Sequence, residues 1–181
     1  MLVARTNMLV VPVASAPVVA TSTTKEIPPV GSPKDATYII EGVPVTLVAG
    51  HSEVPAVPGS ASTIETDYFG NEATYDFNHD GRMDTVVLLT QSTGGTGVFY
   101  YVAVALGGSD GYHGSAAFRL GDRISPQSIW VDTDEARTGT IEVSYADRAE
   151  GESYAVAPSI GKQAHLQFDV AKMELSVVKN R

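Results

Sequence analysis

From Tyr38 onward, apolar and polar residues alternate with a period of two, the pattern of half-buried strands. Residues 38–41 and 43–48 read as two strands around Glu41-Gly42. Residues 85–90 form a β-branched, apolar run, and residues 97–106 a longer one. Further strands are expected at 112–120, 127–131, 140–145, 164–170 and 173–178, each bounded by Gly, Asp, Ser or Pro. Asp110-Gly111 predicts a hairpin tip, because type I′ turns need positive φ. No segment carries the 3.6-residue period of a helix of ten residues or more, although 156–163 suggests a short turn. The expected fold is all-β: a twisted antiparallel sheet forming a sandwich or open barrel. No unit of solenoid or propeller length recurs.

Residues 1–35 follow another pattern. Eight of the ten prolines lie in 1–58, while every aromatic residue lies between Tyr38 and Phe168. The folded domain is therefore placed at 36–181. Residues 1–20 have two readings. One is a signal remnant, with Arg5 as the basic region, 8–13 as the apolar stretch and Ala14-Ser15-Ala16 as the cleavage pattern. The other is a disordered or extended apolar arm. Pro12 and Pro17 interrupt the apolar run, so no membrane span is expected. Residues 21–35 form a Ser/Thr/Pro linker that has little to bury.

Composition narrows the function classes. The chain has 181 residues and a formal net charge of −9. That balance excludes nucleic acid as the expected partner, because phosphate binding needs clustered Lys and Arg. With no Cys, disulfide frameworks, thiolate zinc sites and cysteine nucleophiles are excluded.

The most specific local signal is Asp76-Phe77-Asn78-His79-Asp80-Gly81-Arg82-Met83-Asp84. Oxygen side chains stand at loop positions 1, 3, 5 and 9, with Gly at position 6. Calcium takes six to eight hard oxygen ligands at about 2.3–2.6 Å, and the backbone carbonyl of position 7, Arg82, is a further donor. Three carboxylates gathered in one loop repel one another, and a divalent cation reverses that repulsion. Asp76, Asn78, Asp80, Arg82 and Asp84 are thus the candidate metal residues, with Ca2+ as the cofactor. Magnesium fits less well, because it demands near-ideal octahedral geometry.

This loop resembles the calcium loops of FG-GAP/VCBS-type repeats and of dockerins, and that resemblance implies the same ligand set. An EF-hand has a bidentate Glu at position 12, where this chain has Val87, and FG-GAP propellers need several copies of a loop present here once. The resemblance therefore covers the loop and neither parent fold. Fewer protein ligands imply an affinity on the order of 10⁻⁴–10⁻³ M. A wider set of segments, spanning roughly residues 38–178, is similar to a group of uncharacterised bacterial secreted proteins and lipoproteins: 68–72, the acidic loop, 94–101, 120–124 and 145–148. It implies a secreted or cell-envelope setting. Lipid attachment would require a Cys that this chain lacks.

Other candidate chemistry reads as structural. Residues 107–111 match G-x-S-x-G, but a nucleophile elbow requires a helix after the turn and a strand is expected here. His51, His79, His113 and His165 show no metal-ligand spacing, and His79 is expected to point away from the metal. Phe99-Tyr100-Tyr101 is expected to alternate between core and half-buried surface, and Trp130 to join the core. Asp132, Asp134 and Glu135 lack the loop spacing and read as a solvated turn. Gly94–Gly97 lacks the Lys of a phosphate loop.

The expected function is a non-enzymatic, calcium-binding β-domain, exported and tethered, with a structural or ligand-binding role toward a cell-surface or protein partner. One alternative is a hydrolase with a dispersed site. The other is self-assembly into a surface filament or layer, with the N-terminal arm as a donated strand.

Overall fold

The computed structural model describes residues 27–178. The expected signal remnant or arm at 1–20 lies outside the described residues. A 3₁₀ turn at Pro33–Asp35 precedes β1 (Thr37–Ile40), β2 (Val43–Thr46), β3 (His51–Pro55), β4 (Thr63–Tyr75), β5 (Asp84–Ser92) and β6 (Val98–Gly107). They are followed by β7 (Tyr112–Gly114), β8 (Phe118–Asp122), β9 (Ser125–Val131), β10 (Thr140–Asp147), β11 (Ile160–Asp169) and β12 (Glu174–Val177). All strand pairs are antiparallel, so the all-β expectation holds.

Two sheets pack face to face. The larger runs β3-β4-β5-β6-β7, with β8 also paired to β6, and the smaller runs β12-β11-β10-β9. Val86, Leu88, Val102 and Val104 of the larger sheet meet Ile141, Val143, Leu166 and Phe168 of the smaller in one core. A third layer covers the opposite face. The β1–β2 hairpin brings Tyr38 and Ile40, with Leu47 just beyond it, against Val87, Leu89, Tyr101 and Ala103. Strands β5 and β6 are thus buried on both faces, which is why 85–90 and 98–106 read as unbroken apolar runs rather than as alternation. The result is a sandwich with a hairpin cap, not a closed barrel.

Several boundaries differ from the sequence pattern. Strand β4, the longest, and β3 were not predicted. Strand β3 is mostly exposed, and β4 mixes exposed with half-buried positions, many of them polar. Their period is also broken where β4 bulges twice between Tyr68 and Ala73, with Asn71 at φ 50°. The single strand expected at 112–120 is two, separated at 115–117, where Ser115 Oγ accepts from Val104 N–H at 2.9 Å. Strand β11 begins at Ile160, so the turn expected at 156–163 gives way to strand. Residues 27–30, assigned to the linker, make backbone bonds: Ile27 N–H donates to Gly81 O at 3.0 Å and Val30 N–H to Gly108 O at 3.3 Å. Among the described residues, no helix is long and apolar enough to cross a membrane.

Candidate metal centre

The acidic loop joins β4 to β5 at the end of the sheet where Tyr75 pairs with Asp84. Two residues with positive φ, His79 at 57° and Gly81 at 82°, wind it tightly. The left-handed region costs a glycine nothing, so position 6 of the motif has a conformational reason for its residue.

The winding turns side-chain oxygens toward backbone N–H groups. Asp80 N–H lies 3.1 Å from both Asp76 Oδ1 and Asn78 Oδ1, so oxygens of two different residues converge on one donor. Gly81 N–H donates to Asp76 Oδ2 at 2.9 Å, and Arg82 N–H to Asp80 Oδ1 at 2.8 Å. Asn78 Nδ2 donates to Asp80 Oδ2 at 3.3 Å. Asp76, Asn78 and Asp80 are therefore brought together within one turn.

Asp84 sits differently. It is fully buried, and its two oxygens accept from Phe77 N–H and Gly107 N–H, both at 2.8 Å. Burial pushes its carboxyl above the usual range, and the charges of Asp76 and Asp80 push the same way, while the two N–H bonds pull it down. The rise shows that burial and repulsion outweigh the hydrogen bonds. The Arg82 side chain turns outward, and its Nη1 donates to Pro28 O at 3.2 Å. Among the described residues, no three His, Cys, Asp or Glu side chains form a metal-holding cluster. A cation here would depend also on the Asn78 oxygen and a backbone carbonyl, and on the second lone pairs of oxygens that already accept N–H bonds.

The remaining candidates fall as follows. His79 is exposed, its ring 6.5 Å from that of Tyr75. Residues 107–111 form the hairpin tip between β6 and β7, and a strand follows them. Tyr101 is buried, while Phe99 and Tyr100 are half-buried, as the alternation implied. Trp130 corrects its expectation: it is 42% exposed, on the outer face of β9 opposite Glu142. Ile129 and Val131 point the other way, into the core, so the strand's alternation places the indole outside. Asp132 is buried rather than solvated, and Arg137 Nε pairs with it at 2.9 Å. The contacts of Ile27 and Pro28 with the loop carry no signal in the sequence, because the prolines at 28 and 29 read only as linker.

Compared with family models, with curated proteins and with solved structures, the chain matches none.

Proposed function

We propose that this chain is a calcium-binding, non-enzymatic β-domain of the secreted or cell-envelope type, in which the cation clamps one end of the sandwich. Asp76, Asn78, Asp80, the Arg82 carbonyl and Asp84 form the proposed ligand set. The observation that carries the reading is the convergence of Asp76 Oδ1 and Asn78 Oδ1 on one N–H, with the second Asp76 oxygen on the next. Oxygens arranged in this way offer a hard cation several ligands without rebuilding the loop. Binding would also offset the repulsion among Asp76, Asp80 and Asp84.

The clamp would reach beyond the loop. Asp84 ties the loop to Phe77 and to the end of β6, and Gly81 and Arg82 hold Ile27 and Pro28. The proposed role is structural: fixing the loop fixes the start of β5 and the point where the N-terminal segment meets the domain. Calorimetric titration of the chain with CaCl2, paired with thermal melts in EDTA and in millimolar calcium, tests this. Heat release and a raised midpoint are expected, and both are lost in Asp76→Ala. Identical midpoints in the two buffers, with no heat of binding, overturn it.

A further inference from the structure

A cavity of about 480 Å³ opens between β2 and β3, far from the acidic loop. Its walls are β2 (Val43, Val45) and β3 (Ser52, Val54), and its floor includes Ile40 and Ile64. The two wall strands are joined by the Ala49-Gly50 turn and bridge each other at Val48 and His51. Past that bridge they splay. Among the described residues β2 pairs only with β1, and β3 otherwise only with β4, so each turns an unpaired backbone edge to the gap. A strand edge beside exposed valines (Val43 and Val54) is a template for another strand, and proteins cover such edges.

We propose that the N-terminal arm of the same chain, residues 8–13, lies in this gap as an additional strand. The reading takes residues 1–20 as an arm rather than a cleaved leader, and it is independent of calcium. Three observations favour the arm. Residues 8–13, Met-Leu-Val-Val-Pro-Val, match the aliphatic lining. The reach also fits. Ile27 is held at Gly81, by the loop end of β5, whereas Gln91 lines the cavity seven residues along that strand from Asp84, about 23 Å at the rise of a strand. The thirteen residues from 14 to 26 have a coil span of about 20 Å, and a tether matched to its gap gives the arm a millimolar effective concentration.

Charge sets the direction. Among the described residues, the only charged side chain lining the gap is Glu41, at the β1–β2 turn. The only charged side chain in residues 1–20 is Arg5. An arm arriving from the loop end passes the Ala49-Gly50 turn first, with residue 13 leading. Residue 8 then lies at the open mouth, and Arg5 just beyond it, beside Glu41. Among the described residues Glu41 has two loose partners, Tyr101 OH at 3.4 Å and Arg119 Nη1 at 3.9 Å. This direction runs antiparallel to β3, so the arm extends the larger sheet by the pairing it already uses.

Because the chain has no Cys, thiol cross-linking reads the contact directly. The full chain carrying Val11→Cys and Ser52→Cys is oxidised under mild conditions. A disulfide within one chain is expected, forming at least about tenfold faster than in a Val11→Cys/Ser153→Cys control, because only a docked arm holds the pair together. Adding Val54→Arg to the first pair is expected to remove that advantage, while the melting midpoint stays unchanged. Cross-links chiefly between two chains overturn the proposal in favour of donation between copies. Rates equal to the control, or a native chain that begins at residue 17 by mass spectrometry, also overturn it.

Discussion

Asp84 and Gly107 lie twenty-three residues apart, yet the Asp84 Oδ1 atom accepts the Gly107 N–H at 2.8 Å in a fully buried setting. With Oδ2 accepting from Phe77 N–H, one carboxylate joins the acidic loop, the start of β5 and the end of β6. This residue is unusual in the motif because it is the only one of its carboxylates in the core.

Asp84→Asn keeps one acceptor oxygen and loses the other, leaving Phe77 or Gly107 N–H unpaired. The expected loss is about 1–3 kcal/mol in the presence of calcium. The pH dependence follows from the raised carboxyl. Its folded form holds the proton more tightly than the unfolded chain does. Asp84's contribution to stability is therefore greatest below the ordinary carboxylate value and falls as pH rises through the raised value. In EDTA, the melting midpoint of wild type relative to Asp84→Asn should increase as pH is lowered from neutral. Midpoints that run parallel across that range would refute the assignment.

His51 and Asp67 are opposed on β3 and β4, with Nδ1 and Oδ1 2.7 Å apart. The hydrogen bond to Asp67 raises the imidazole above its usual range, and Glu53 and Glu65 add smaller pushes in the same direction. The pair's contribution is present below the ordinary histidine value and lost as pH rises through the raised one, and it is small because both groups are exposed. An NMR titration of His51 should show a midpoint above the ordinary histidine value, and Asp67→Asn should return it toward that value.

Gly114 marks where the cap meets the sheet. A Cβ there would run into the Thr37 carbonyl and lie 2.6 Å from the Tyr38 ring. Gly114→Ala should cost roughly 1–3 kcal/mol by forcing β7 and β1 apart. Gly95→Ala, with nothing within 4 Å, is the control that should melt near wild type. Equal midpoints would mean that the junction yields.

The indole of Trp130 provides a direct optical check. With the side chain 42% exposed and no second Trp, iodide should quench most of the fluorescence, and denaturation should shift the emission little. A blue-shifted, protected emission would contradict the outward orientation.

Much of this molecule is local and therefore legible in the chain. Strands β5 and β6 are apolar because both faces are covered, and that composition appears without any partner in view. The winding of the acidic loop is likewise local: Asp76, Asn78 and Asp80 bond N–H groups two to five residues away, and Gly81 supplies the positive φ. The sequence also determined the charge balance and the absence of thiol chemistry.

Tertiary structure decided what depends on contacts distant in sequence. Strands β3 and β4 are largely polar and β4 is bulged, so pairing of β4 with β5, and of β3 with β4, makes them strands where their pattern does not. The burial of Asp84 requires Gly107, and the outward face of Trp130 requires knowing which side of β9 meets the core. The gap between β2 and β3 exists because two polar-edged strands diverge from one turn, a geometry set by what each packs on: β2 with the cap, β3 with the sheet. Alternation along a strand reports that one side is buried, but only the assembled fold determines against what.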